Sequence, residues 1–389
     1  MFKALLQSTK DRLQGNKAKA NARLGLVRPP EGTGKVIWLV AGETYSSVLM
    51  AAALLAAIRE KRKDVRLVLT YEQEYQDIIV EHMSGLSKIG FGYHCGDSQY
   101  AANQMLTRLS PMSVIIVGTQ PKKTFLHVLD KNTSIHKLLF QTNRNYENIC
   151  KTKHAFEACY PDIINYSGTK NKSCEAEYPP MSILTRLVQS QVDQQLGSML
   201  CGEESDALFH VHNLKPDCFN DLLSSWRSSS KLANSLLAIS IYNLTDTDLD
   251  KLKASIIASG FEAVKLSDWN QQPLESHQIV IADDNKWYAA LCASSKATHV
   301  FNTEDFYLWQ SLASGAVVTV DNTLAEKLTF FSEIDSIETL DSLTQSWCDL
   351  LEDTLLQRKK SDALRKHFWE HRRQAESQMH EFLQRVYDW

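Results

Sequence analysis

Short, wholly apolar runs alternate with longer stretches of helical period along most of the chain. "VIWLVA" (36–41) reads as a buried strand, and "SSVLMAAALLAAIREK" after it as a helix with Ser46 or Ser47 as its N-cap. "VRLVLTY" (65–71), "KIGFGYH" (88–94), "SVIIVG" (113–118) and "HKLLFQ" (136–141) read as further strands, with helices over 75–83 and 98–111 between them. A second series follows, with strands at 207–212, 235–242, 262–267, 278–283, 297–302 and 316–321. Its helices fall over 181–200, 216–228, 245–260, 285–294 and 306–315, and a long charged helix over about 338–388 closes the chain. Strands alternating with helices imply right-handed crossovers, and hence parallel sheets covered on both faces. The stretch 143–180 is polar and aperiodic and reads as a linker, a lid or a long loop.

At 389 residues the chain is too long for one ordinary core. The expected division is a basic leader (1–35), a first α/β domain with its linker (36–180), a second α/β domain (181–337) and a helical C-terminal segment (338–389). The composition, 43% apolar and 23% charged, is that of a folded protein rather than a disordered one. A formal charge of -4 lacks the basic excess of a dedicated nucleic-acid binder, so no nucleic-acid partner is expected. The eight cysteines contain no C-x-x-C pair, which leaves no zinc or redox motif and suits reduced thiols in the cytoplasm. No apolar run reaches the roughly 18 residues of a membrane span, and no signal peptide is legible. In the first 23 residues Lys3, Lys10, Arg12, Lys17, Lys19 and Arg23 face the single acid Asp11, with Phe2, Leu5, Leu6 and Leu13 interspersed. That pattern fits a basic amphipathic helix on the anionic cytoplasmic face of the inner membrane, or a solvated first helix packed on the body.

In an open parallel sheet the ligand crevice lies beyond the carboxyl ends of the strands, where Gly42, Glu43 and Thr44 fall. A carboxylate there can act as general base for an incoming hydroxyl, or serve only as a first-turn acid favouring the helix dipole. His210 and His212 alternate on a strand and so share a face, but no third ligand is legible, and no metal or cofactor is expected. His367 and His371, among Arg365, Lys366, Arg372 and Arg373, read as a solvated basic face. P-loop, G-x-G-x-x-G and G-x-S-x-G motifs are missing from the sequence. The tandem plan is that of a two-domain nucleotide-dependent enzyme, and the motifs by themselves leave its substrate unknown.

The stretch "ARLGLVRPPEGTGKVIWLVAGE" carries something more specific. It resembles the N-terminal domain of bacterial 3-deoxy-D-manno-octulosonic acid (Kdo) transferases, with their R-x-G-x-x-x-P-P leader and strand-turn motif closing on a glutamate, which matches Glu43. "RLSPMSVIIVGTQPKK" parallels the family's next strand and loop, and "LVQSQVDQQLGSML…FHVHNLKPD" its Q-S…N-L-K segment, matching Asn213 and Lys215. The resemblance covers roughly residues 20–320. It implies a GT-B fold of two Rossmann-like domains with parallel sheets facing a central cleft, Glu43 as the catalytic base, a CMP-sugar donor and a glycolipid acceptor, the lipid A precursor, in lipopolysaccharide synthesis.

Departures from the family pattern fall on both sides: the strand-turn motif is shortened by about two residues to "LVAGE" and lacks its serine, and most donor-side groups are replaced. The family's acidic loop becomes "GTQPK" (118–122), its basic P-R-H-P-E-R loop becomes "IYNLTD" (241–246), and "FNTEDFYLWQSLASG" places Gln310 at the nucleotide-contacting glutamate, with Glu304 nearby. Each lost charged contact to a nucleotide costs ~1.5–3 kcal/mol. Lys122 and Lys123 on the acceptor side, and Asn243, Thr245, Asn302 and Thr303 on the donor side, are candidate substitutes. Two alternatives stay open: a catalytically silent relative serving as a binding or scaffold protein, and a transferase using a different activated sugar.

Overall fold

The computed structural model describes residues 2–119, 122–140, 158–160, 182–188, 195–202, 205–241, 244–301, 303, 305–325 and 334–389. The chain forms two compact units, Met1–Leu187 with Arg373–Trp389, and Val188–Arg372.

The first unit is built on a parallel sheet of β1 (Val36–Ala41), β2 (Arg66–Tyr71), β3 (Ile89–Tyr93), β4 (Pro111–Val117), β5 (His136–Phe140) and β6 (Ala158–Tyr160), in the order β3-β2-β1-β4-β5-β6. All six residues of β1 are buried, as a central strand covered on both faces requires. β6 lies in the stretch that the pattern gave as linker or loop; at three residues it is too short for a period to show, and it is defined by its pairing with β5. The rest of 143–180 is outside the described residues. The helix Tyr45–Lys61 is capped by Thr44, whose hydroxyl accepts the Ser47 N–H at 3.2 Å, and not by Ser46 or Ser47 as expected. Ser47 is occupied elsewhere: its hydroxyl accepts the Gly42 N–H and donates to the Val117 carbonyl, each at 2.8 Å. The helix Lys123–Asp130, which the pattern did not reveal, buries Phe125, Leu126, Val128 and Leu129.

The second unit's sheet is also parallel. Its strands are β7 (Leu208–His212), β8 (Leu236–Ser240), β9 (Glu262–Lys265), β10 (Gln278–Ala282), β11 (Ala297–Val300), β12 (Val317–Asp321) and β13 (Asp335–Ile337), in the order β13-β12-β11-β7-β8-β10-β9. Phe209 stacks on Trp347 at 4.9 Å between centroids, with Trp226 edge-on beside them, and these rings centre the core on one face. The helix expected over 181–200 is instead a 3-10 turn (Ser182–Arg186) and a short helix (Gln195–Cys201), the residues between lying outside those described. The helix expected over 338–388 is two, Leu340–Glu352 and Thr354–Tyr387. Asp353 separates them by leaving helical backbone (φ -114°, ψ 90°) and accepting the Leu356 N–H at 2.9 Å, so it ends one helix and starts the next. Through Arg372 this last helix counts with the second unit, and from Arg373 with the first.

Candidate functional site

In the first sheet the chain leaves β1 towards β2 on one side and returns on the other as β4, so the crevice of the doubly wound arrangement lies past the ends of β1 and β4. Gly42 sits there because nothing larger fits: a Cβ would fall 2.7 Å from the Thr119 hydroxyl. Glu43 follows in the turn, exposed, with its backbone carbonyl accepting the Tyr75 hydroxyl at 2.8 Å. Its carboxylate makes no hydrogen bond or ion pair among the described residues, and Thr44 caps the next helix.

Beside this turn lies a charged cluster that sequence reasoning missed. Glu72, one residue past β2, takes Lys122 Nζ at 2.8 Å and Arg23 Nη2 at 3.1 Å, and its Oε1 lies 3.5 Å from His94 Nδ1, one residue past β3. Arg23 also reaches Asp11 at 3.4 Å and donates to the His94 carbonyl at 3.0 Å. Burial by itself would raise the Glu72 pKa, but His94, Lys122 and Arg23 overcome it and hold the carboxylate well below its usual range. Burial likewise opposes charge on His94, yet Cys95 and Glu72 outweigh it and hold the imidazole up at about 9. Lys122 is therefore tied to Glu72, while Lys123 opens the following helix, exposed. The signal that would have found the cluster is positional: a charged side chain immediately after a strand end.

In the second sheet the corresponding reversal falls between β7 and β11. A pocket of about 450 Å³ opens there, lined among others by Asn213, Lys215, His299, Phe301 and Asp321. Asn213 adopts a left-handed backbone (φ 60°), which Asn tolerates, and its N–H donates to the Ser240 carbonyl at 2.7 Å, fixing the turn that carries exposed Lys215. Lys215 is the one cation among the described lining residues, against Asp248, Asp321 and Glu338. Buried His299 shares a hydrogen bond with Thr319 Oγ1 at 2.9 Å, and burial takes its pKa down to about 3, so it is neutral.

On the other face of β7, His210 and His212 do share a side, as expected. Both ring systems meet the Ser240 hydroxyl, at 2.7 and 2.8 Å, and His212 Nε2 meets Thr303 Oγ1 at 3.0 Å. Burial takes His210 down to about 3 and His212 well below its usual value. Thr303 is thus engaged with a buried imidazole. Gln310, expected at a nucleotide contact, is 1% exposed on the helix Asp305–Ser314 and is not among the residues lining the pocket. Asn243, Asn302 and Glu304 lie outside the described residues, and Thr245 caps the helix Asp246–Ala258. Among the described residues no three His, Cys, Asp or Glu side chains are grouped to hold a metal ion.

No protein-family model matches the sequence, and no curated protein matches it. Solved structures do match. The S. aureus MnaA–UDP structure superposes with a TM-score of 0.56 at 10% identity, covering 85% of this chain and 91% of that one. Acinetobacter baumannii MurG gives 0.54 at 10% identity, covering 86% and 95%. The Neisseria meningitidis UDP-GlcNAc 2-epimerase bound to UDP-GlcNAc gives 0.53 at 11% identity, covering 86% and 99%. With two Rossmann-like units, each on a parallel sheet, and a long C-terminal helix, this chain has the GT-B fold.

Proposed function

We propose that the protein is a glycosyltransferase that draws on a nucleotide-activated sugar, with the nucleotide seated in the pocket of the second unit and Glu43 as the base for the acceptor hydroxyl. The pocket carries this reading: it lies at the strand-order reversal, and it contains Asn213 and Lys215, two of the residues through which the sequence resembles Kdo transferases. MnaA and the Neisseria epimerase were solved with UDP or UDP-GlcNAc, so a pyrimidine nucleotide suits the fold. Between a CMP-sugar and a UDP-sugar, a lining with one lysine and three carboxylates favours the donor with a single phosphate. The acceptor of this reading is a glycolipid of the lipid A precursor type. Glu43 removes the hydroxyl proton as that oxygen attacks the anomeric carbon; the bond from that carbon to the phosphate oxygen breaks, and CMP leaves with the electron pair.

The same shortage of cations favours a second reading, a GT-B relative that binds glycolipid enzymes or their substrates without catalysis. Incubation with CMP-Kdo and tetraacylated lipid A precursor, followed by lipid mass spectrometry, separates the two. Transfer is expected for the wild type, reduced ~10²–10⁴-fold in Glu43→Gln, with CMP affinity by calorimetry unchanged. Binding of UDP-sugars in place of CMP would move the assignment to another donor. Absence of both transfer and nucleotide binding would leave the silent relative.

A further inference from the structure

The helix Phe2–Leu13 is amphipathic in reverse. Its small residues Ala4 and Ser8 are buried against the first unit, and Asp11 turns inward to Arg23. Its large apolar residues point away: Phe2 is 75% exposed, Leu6 57% and Leu13 84%, with Leu5 beside them at 45%. Positions 2, 6, 9 and 13 form one stripe at helical spacing, opposite the stripe of 4, 8 and 11. Lys10 lies on one flank of the outward stripe and Arg12 on the other, both exposed, and no acid is exposed on this helix. Contiguous exposed apolar side chains on an otherwise folded surface mark a contact site.

We propose that this face docks on a lipid surface bearing anionic headgroups, with the helix lying in the interfacial plane. Two features choose that partner. The apolar stripe is bordered by cations on both sides, the layout that lets side chains enter the acyl boundary while the charges meet headgroup phosphates. Lys3 is held by Asp97 at 2.7 Å and the helix is anchored through Asp11 and Arg23, so the stripe is presented in a fixed orientation before contact. Among the described residues no helix is long and apolar enough to cross a membrane. The inference stands independently of the donor and of Glu43.

Sedimentation of the full chain with phosphatidylcholine vesicles, with and without one-third phosphatidylglycerol, tests it. The wild type is expected to sediment with the anionic vesicles, much less with the neutral ones, and to be released by high salt. Phe2→Ser should weaken partitioning roughly tenfold, and the triple change Phe2→Ser, Leu6→Ser, Leu13→Ser by well over roughly a hundredfold. Because these side chains are solvent-facing, the triple variant should keep the wild-type melting temperature, so loss of binding is not loss of fold. A wild type that stays in the supernatant with anionic vesicles, or a triple variant that binds as the wild type does, overturns the proposal. A dimer by size exclusion that the triple variant converts to monomer, with no vesicle binding, overturns it in favour of self-association.

Discussion

The two sheets share one architecture and reverse strand order at equivalent places, yet their carboxyl edges are built from opposite materials. In the first unit the edge is ionic, with Glu72 among Arg23, Lys122 and His94. In the second it is polar but uncharged in its depth, with His210, His212 and His299 buried as neutral rings on hydroxyl partners. Burial raises the cost of charge in both, and the outcome depends on whether a counter-charge is within reach. His94 has one and stays protonated; the three imidazoles of the second unit have none and do not.

Proton linkage should therefore pull the units apart, and this is the largest effect expected. Four second-unit imidazoles have folded values below the ordinary 6.5: those three, with His210 and His299 at about 3, and His371 at about 4 through burial. Their contribution is present above 6.5 and is lost as pH falls, by up to about 1.4 kcal/mol per pH unit for each ring. His94 has the opposite sign. Its folded value of about 9 exceeds 6.5, so its contribution is complete below 6.5 and is lost as pH rises through 9. Glu72, held below its ordinary value, adds an acid limb to the first unit only under pH 4.5. Hydrogen exchange read by mass spectrometry at stepped pH should show the second unit opening first on the acid side and the first unit first on the alkaline side. Joint opening of both units on the acid side would remove the contrast.

A substitution sharpens it next. Glu72→Ala strands the cations around it and should cost ~3 kcal/mol or more in the stability of the first unit, measured by denaturant unfolding. A smaller loss is expected from Ser240→Ala, which removes the hydroxyl between His210 and His212 and should destabilise the second unit by ~1–3 kcal/mol. If Ser240→Ala also abolished the alkaline limb of the first unit, the two edges would not be independent.

Much of the scaffold was legible because strands covered on both faces are continuous apolar runs, and β1 and β4 were read that way. The break at Asp353 was not, since neither Gly nor Pro marks it and the helical period continues across it. Glu43 was singled out because one resemblance and one topological rule pointed to the same turn. The Glu72 cluster was not, because its residues stand beyond separate strand ends, with Arg23 on the helix Lys17–Arg23, and they meet only when β3, β2, β1 and β4 are laid side by side. His299 reads in sequence as one more strand residue, and only the pocket beside it gives it significance.

The final residues of the chain have a consequence for biosynthesis. Arg62 donates to the carbonyls of Val386 and Trp389 at 3.0 Å each, the Phe382 ring lies 4.6 Å from that of Phe140, and Trp389 stacks on His136 at 5.0 Å. Residues 1–187 of the first unit are thus completed by residues 373–389, which are made only after the whole of the second unit. During translation the second unit therefore has its whole sequence before the first does, and Phe140 lacks its Phe382 partner until the helix Thr354–Tyr387 is synthesised.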